Sequence, residues 1–379
     1  MKIAIIGAGP MAKIFAEKAK NEDIETHCFA WEKGAEAKDI VDFFYPISIF
    51  EKEKILDICR ELKIDGVIAT TELTISIAAF IARNLKLNTN CQNVAENITN
   101  KFWVRERAKK AKGICQPHYK YVTADNDDYS GILFPSVIKP VTEGGKRGVT
   151  IANNPEEYLS ALQYARTADR KSNGLIAEEY LAGGNEYSVE SLSFHGIHQV
   201  IQITQKISSG PPHFVELGHS QPACITTATK KHIITAISNL LDAVSIENGP
   251  SHTEIKIIED DIFLIELNAR PGGDHIAYPL TELSTGYDYI KAIILVAMNV
   301  EPSLPKNGSY KYSGVRFITQ QTKNWLALFE NCDNEDWLYK KFAESDLSEL
   351  TYNDGYNTNY FIYCSDKYPD FLEITDHAD

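Results

Sequence analysis

The chain has no basic stripe, no long apolar run and no paired cysteines, and each absence removes a class of function. Of its 379 residues, 38 are Lys or Arg and 52 are Asp or Glu, a net charge of −14. A chain of that sign offers no cationic track for a phosphodiester backbone, so no nucleic-acid partner is expected. The acidity is uneven. From Glu330 to the end there are 13 acidic and 3 basic residues, a balance of −10, and the remainder is only mildly acidic. The longest apolar runs, such as Ile75–Ala82 and Ala292–Met298, are far short of the roughly 20 residues that span a bilayer, so no membrane partner is expected. Cys28, Cys59, Cys91, Cys115, Cys224, Cys332 and Cys364 form no CxxC or CxxH grouping. They read as reduced thiols of a cytoplasmic protein. Met1 leads straight into KIAIIGAG without a charged leader, so no signal peptide is expected. There is no repeat and no low-complexity tract. What remains is a soluble globular chain, 44% hydrophobic and 24% charged, long enough for two or three packed units.

Its first 95 residues alternate strand and helix signals. Lys2–Ile6 reads as a buried strand, Met11–Lys20 as a helix, Gly66–Ala69 as a second strand, and an apolar helix starts at Leu73. This pattern predicts an α/β unit with a parallel sheet. Between the first strand and helix stands Gly7-Ala8-Gly9-Pro10-Met11-Ala12, a partial dinucleotide fingerprint with Ala at the third glycine position. It is also what a tight strand-to-helix turn requires, and the turn reading is preferred to NAD binding.

Thr99 or Asn100 can cap a helix over Lys101–Lys112, closed by Gly113. Phe134–Pro140 reads as a strand ending in Lys139, followed by a basic, glycine-rich loop, Thr142–Val149. Pro155–Ala168 reads as a helix, and Gly174–Tyr180 and Glu186–Phe194 as strands. A helix is expected over Thr285–Val300, strands near Val315 and Phe361, and an acidic helix around Asp336–Glu344.

The most informative stretch is Ser251–Asp274, SHTEIKIIEDDIFLIELNARPGGD. At a strand period of two, His252, Glu254 and Lys256 share one face, and after a turn Glu266, Asn268 and Arg270 share another. A loop of Glu259-Asp260-Asp261 puts Glu254 opposite Glu266 and His252 opposite Asn268. Facing carboxylates repel. A divalent cation between them removes the conflict, and Glu, Glu and Asn are hard oxygen ligands suited to Mg²⁺. Elsewhere the signals are weaker singly. The glycine-rich loop lets backbone amides approach phosphate oxygens, with Lys139, Lys146 and Arg147 beside it, yet alone it reads equally as a mobile hairpin. Glu186 could accept from ribose hydroxyls, and the strand edge Glu179–Leu181 could offer its backbone to an adenine ring. Each of these alone is an exposed polar face.

Taken in order, Lys101, Lys139-Pro140, the glycine-rich loop, Glu178-Glu179-Tyr180-Leu181 with Glu186, Glu254, and Glu266-x-Asn268-x-Arg270-Pro271-Gly272-Gly273 resemble the ATP-grasp superfamily over roughly residues 95–300. His252-Thr253-Glu254 with Asn268–Ile276 is most similar to carboxylate–amine ligases acting on free amino acids, the L-amino acid α-ligase type. Two departures stand out. Biotin-carboxylase-like members carry Gln-Val-Glu-His where Pro271–Asp274 stand, which disfavours bicarbonate. The loop carries Lys146-Arg147 in place of the commoner serine.

The resemblance implies a Rossmann-like domain at 1–95, a lid subdomain with its linker helix at 96–185, a catalytic subdomain at 186–305 and an acidic mixed region at 306–379. It implies ATP phosphates on Lys101, Lys139 and the loop Gly145-Lys146-Arg147-Gly148. Adenine would lie on Glu178 and the backbone of Glu179, Tyr180 and Leu181, and ribose on Glu186. Glu254, Glu266 and Asn268 would hold Mg²⁺, as two ions bridged by Glu266, with Mn²⁺ as a substitute. Arg270 and the amides of Gly272 and Gly273 would hold a carboxylate and then the oxyanion, while Glu143–Tyr180 closes as a lid. His252, His275 and Asp274 would face substrate. For Asp274 a helix N-cap ahead of His275 is an equal reading. The implied activity joins a small carboxylate and a small amine through an acyl phosphate, and relatives commonly form homodimers. The alternatives are the same chemistry on a non-amino-acid carboxylate or bicarbonate, a nicotinamide-dependent dehydrogenase using the Gly7–Ala12 turn, and a non-catalytic nucleotide-binding module.

Overall fold

Alternate residues of the first strand, β1 (Lys2–Ile6), are claimed by different helices, which is why the run is apolar throughout. Ile3 and Ile5 pack with Met11, Ala12 and Phe15 of the helix Pro10–Lys20, while Ala4 and Ile6 pack with Ile55, Cys59, Ile77 and Ile81 of the helices Lys52–Leu62 and Ile75–Asn84. With β2 (Glu25–Ala30), β3 (Phe43–Pro46) and β4 (Gly66–Ala69), β1 forms a parallel sheet of order β3-β2-β1-β4. These observations come from a computed structural model that describes residues 1–123, 128–169, 174–305, 311–344 and 346–375. Gly7 leaves β1 at φ +96°, and a Cβ there would lie 2.6 Å from Thr70 Oγ1, so the turn needs glycine for close approach.

The segment expected to act as a lid is an antiparallel sheet of β5 (Tyr119–Val122), β6 (Ser136–Pro140), β7 (Thr150–Ala152) and β8 (Leu175–Glu179) in the order β5-β8-β6-β7. It rests on the helix Pro155–Ala168, whose Tyr158 and Leu162 pack with Ile138 and Ala177. The remaining strands make one eight-stranded sheet. They are β9 (Asn185–Phe194), β10 (Ile197–Ser208), β11 (Glu216–Gln221), β12 (Gly249–Ile258), β13 (Asp261–Asn268), β14 (Tyr312–Ile318), β15 (Leu338–Phe342) and β16 (Asn359–Ser365), in the order β13-β12-β9-β10-β11-β14-β16-β15. The C-terminal strands therefore extend the catalytic sheet.

The hairpin β12–β13 has the expected register, Glu254 opposite Glu266 and His252 opposite Asn268, by an unexpected route. Its loop is two residues, because Ile258 already pairs with Asp261, and a bulge between Glu254 and Ile255 restores the register. The expected acidic helix at Asp336–Glu344 is instead the edge strand β15. Trp337 packs on Phe361 and Phe342 stacks on Tyr360, so sheet pairing and aromatic burial override helix propensity. Two helices are shorter than expected, Lys101–Ala108 and Tyr289–Ala297, the second capped by the Asp288 side chain. Of the acidic tail, Asp376 and Asp379 lie outside the described residues. Among the described residues no helix is long and apolar enough to cross a membrane.

Candidate active site

The lid face of β6 and β8 and the end of β13 border an open cleft. Val137, Val149, Leu181, Phe214 and Ile265 give it apolar walls, and Lys101, Lys139 and Lys146 line it too. Flat apolar walls with clustered cations suit a purine ring joined to phosphates. Glu186 lines the cleft near Lys256, whose Nζ lies 3.9 Å from its carboxylate and donates to the Leu181 carbonyl at 2.8 Å. The expected backbone edge needs correcting. The amides of Glu179 and Tyr180 already donate to the carbonyls of His118 and Pro135, because the strand pairing uses them, so neither is spare for adenine.

Glu178 also departs from expectation. Its side chain is 4% exposed and is gripped by Arg105, with Nε 2.9 Å and Nη2 3.1 Å from its two oxygens, and by Lys139 Nζ at 2.6 Å. Burial would raise this carboxyl, but the two cations outweigh burial and hold it at about 2. Burial pushes Lys139 down, which Glu178 only partly offsets. Glu178 thus positions Lys139 and is committed elsewhere than to adenine. Arg105 further donates to the carbonyls of Leu264 and Ile265, tying the linker helix and lid to β13. Sequence reasoning passed over Arg105, although it sits one helical turn from Lys101 on the same face.

The hairpin carboxylates are neutralised by lysines. Glu254 meets Lys206 at 2.7 Å and Lys146 at 3.3 Å, and Lys206 also meets Glu216 at 2.6 Å. Burial opposes ionisation of Glu254, yet Lys146 and Lys206 hold its carboxyl well below the usual range. Glu266 lies 3.2 Å from Lys101, which donates to the Glu143 carbonyl at 2.7 Å, and Asn268 donates to Glu266 at 2.9 Å. Glu254 and Glu266 face each other with Asn268 bonded to Glu266, and of the three Glu266 lines the cleft; two carboxylates and an amide oxygen are donors suited to a hard divalent cation. Lys206 and Glu216 sit on β10 and β11, a region where no site residue was expected. The alternating run Gln199 to Ile207 was the available signal.

Past β13 the chain enters a second cavity, about 640 Å³, where all parts of the molecule meet. Arg270 pairs through Nη2 with Glu72 of the N-terminal domain and donates through Nη1 to the Pro271 carbonyl at 2.7 Å. Its Nε is buried without a hydrogen-bond partner, an open edge for a carboxylate. Burial would raise Glu72, but Arg270 holds it at about 2. Glu72 was not foreseen, because its partner lies 198 residues away. Gly273 and Asp274 line this cavity. Gly272 does not offer its amide to it. That amide donates to Glu190 at 2.9 Å, and Glu190 also meets His252 Nδ1 at 2.5 Å. Burial disfavours the charged imidazole of His252, but Glu190 lifts it to about 9. His252 and Gly272 are therefore buried supports, and His252 touches neither cavity.

His275 is likewise displaced from the substrate role. It is buried beside Tyr356, Tyr360 and Phe317, and burial pushes its imidazole down to about 3. It occupies the N-cap position of the following turn without a side-chain cap, so Asp274 is not the cap. Asp274 instead takes a backbone hydrogen bond from Gly355 and sits near Glu216 and His219. Burial, then Glu216, push its carboxyl up to about 6.

The basic loop divides between the two spaces. Lys146 turns inward at φ +61° to Glu254. Gly145 and Arg147 line the second cavity, with Arg147 5.6 Å over the Tyr352 ring. Gly148 packs against Pro140 and Ala168 and lines neither cavity. Asn353 fastens the loop, its amide donating to the Gly145 carbonyl at 3.1 Å while its Oδ1 accepts from the Glu216 amide at 2.9 Å. A third, smaller cleft beneath the helix Ile75–Asn84 has no ionisable residue in its walls.

Residues 132–278 match the ATP-grasp domain family. The chain is 20% identical over 334 residues to the formate-dependent phosphoribosylglycinamide formyltransferase of Corynebacterium efficiens, covering 83% of this chain and 80% of that protein. It is 25% identical over 307 residues to the alanine–anticapsin ligase of Bacillus subtilis, covering 71% of this chain but only 64% of that one. Among solved structures, an L-amino acid ligase from Bacillus licheniformis superposes with a TM-score of 0.79 at 22% identity, covering 99% of this chain and 96% of the other. These likenesses show an ATP-grasp domain over residues 132–278 and, over the whole chain, a fold shared with that solved structure.

Proposed function

We propose that the protein is an ATP-dependent carboxylate–amine ligase that joins amino-acid-like substrates through an acyl phosphate and releases ADP and phosphate. One observation carries this reading. A single strand end puts Glu266 on the nucleotide cleft and, four residues on, Arg270 on the adjoining cavity. A carboxylate held by Arg270 is then next to the phosphates to be attacked.

In this scheme Lys101, Lys139 and Lys146 offset phosphate charge, the apolar walls hold the base, and Glu186 serves the ribose. Glu254, Glu266 and Asn268 would hold Mg²⁺ or Mn²⁺, which when bound would supply positive charge against the transferring phosphoryl group. The substrate carboxylate oxygen attacks the γ-phosphorus and the bond to ADP breaks. The amine then attacks the acyl carbon, and the carbon–oxygen bond to phosphate breaks as phosphate leaves. The closed loop, fastened by Asn353, keeps water from the acyl phosphate.

The formyltransferase relative supports a second reading, a phosphorylated acceptor. The cavity argues against it. Glu72, Glu143 and Asp274 outnumber Arg147 and Arg270 there, which suits a zwitterion better than a dianion. Phosphate release from Mg·ATP, measured with single amino acids and with pairs, tests the proposal. Release is expected with amino-acid pairs. Release only with a phosphorylated ribosyl amine, or none with any amino acid, would overturn it.

A further inference from the structure

We infer that the carboxylate substrate is an amino acid with a bulky apolar side chain, and that Phe50 selects it. This rests on the ligase reading and goes beyond it. The second cavity has two chemistries in its walls. Glu72, Arg270 and Asp274 can meet the charged groups of a zwitterion. Pro10, Met11, Phe50 and Leu73, all from the N-terminal domain, can meet only hydrocarbon.

Phe50 and Leu73 are open to be met, at 61% and 38% exposed, and neither joins a buried core cluster, whereas Met11 is buried in the core under β1. An exposed aromatic ring and an exposed leucine in the walls of one cavity offer it apolar surface. Phe50 is also held in place. Trp31, itself 48% exposed, braces its ring edge-on at 5.6 Å, and Ser48 Oγ accepts from the Phe50 amide at 3.3 Å.

Leu73 is the next residue after Glu72 on the short turn Glu72–Thr74, which a reciprocal capping box between Thr71 and Thr74 fixes. An ion-reading side chain and an apolar one are thus set one residue apart. An α-amino acid presents the same two features on one carbon, an ammonium and a side chain. Arg270 adds the third requirement, a guanidinium edge for the carboxylate.

The test compares leucine, methionine and phenylalanine with alanine, serine and aspartate as the acid component. It uses wild type, Phe50→Ala and Leu73→Ala. Wild type is expected to favour the bulky apolar acids by ~10-fold or more in kcat/KM, the scale of one or two methylenes in an apolar pocket. Phe50→Ala should erase most of that preference through KM, lowering kcat/KM for the bulky apolar acids far more than for alanine. Binding of leucine against alanine in the presence of a non-hydrolysable ATP analogue, measured by calorimetry, reads the same preference without turnover. Equal loss for every substrate in Phe50→Ala, or equal affinity for leucine and alanine in wild type, overturns the inference. A change of oligomeric state in Phe50→Ala with selectivity intact overturns it too, and makes the aromatic pair an interface. Leucine-selective binding with no phosphate release from any amino acid would sink the ligase reading and leave this inference standing.

Discussion

Glu178 is held by two cations at once, and that sets what its loss costs. Its folded value of about 2 lies below the ordinary 4.5. The ionised form therefore stabilises the fold fully above the ordinary value, and that contribution fades as pH falls toward about 2. Glu178→Gln should destabilise the protein by about 3–5 kcal/mol at pH 7, because Arg105 and Lys139 are left buried without a counter-charge. The gap from wild type should narrow steadily between pH 5 and about 2, since a protonated glutamate resembles glutamine. Urea unfolding of both proteins across that range checks it, and a pH-independent gap would refute the assignment. At this scale, legibility depended on sequence distance. Glu254 and Glu266 could be seen as partners because one short turn joins them. Arg105 and Glu178, 73 residues apart, and Glu72 and Arg270, 198 apart, could not, since no local period connects them. Gly272 misled for a related reason. A Cβ there would lie 2.5 Å from Glu190 Oε1, so the glycine answers to buried packing rather than to an oxyanion.

Elements were legible where one face is apolar at a fixed period and illegible where a distant strand decides the outcome. The helix Pro155–Ala168 carries its own signal, an Asn154 cap followed by Tyr158, Ala161, Leu162 and Ala165 on one face. No such signal makes β15 a strand, since it exists only because β16 is beside it. The same holds for the segment Tyr352–Tyr356, which has no regular structure yet touches the loop, the catalytic sheet and Asp274. Its Asn353 should act as the loop's clasp. Asn353→Ala removes the bond from the Glu216 amide, so the loop should open more readily and KM for ATP should rise several-fold with a smaller change in kcat. Steady-state kinetics would show it, and limited proteolysis should cut the variant faster within the loop. An unchanged KM together with an unchanged cleavage rate would remove Asn353 from the lid mechanism.

The whole molecule explains why the partial GxGxxA turn misleads when read alone. Gly9, Pro10 and Met11 line the same cavity as Arg270 and Asp274, and the helix Tyr289–Ala297 packs on the core under β1, so the N-terminal domain is one wall of a shared site. Its order, a parallel sheet followed by the lid and the hairpin, could be read along the chain. Its closure against the C-terminal strands could not, because that depends on an eight-stranded sheet assembled from distant segments. The consequence is a contrast between two nucleotides. Mg·ATP held between lid and hairpin, as proposed, would link parts of the fold that the free protein holds by lysine–carboxylate pairs. At 100-fold above its dissociation constant it should add roughly 2.7 kcal/mol of stability and raise the melting temperature by a few degrees. NAD and NADP at millimolar concentration should shift nothing, since Gly7 is pressed against Thr70 and Gly9 lines the same cavity as Arg270. Glu266→Gln should keep the fold, because that side chain is 21% exposed and Lys101, itself buried, keeps its bond to the Glu143 carbonyl, yet it should lose ~10²-fold in turnover and most of the Mg-dependent part of the ATP shift. A melting shift with NAD but none with Mg·ATP would restore the dehydrogenase reading. An ATP shift in Glu266→Gln with the magnesium dependence of wild type would move the metal away from the hairpin.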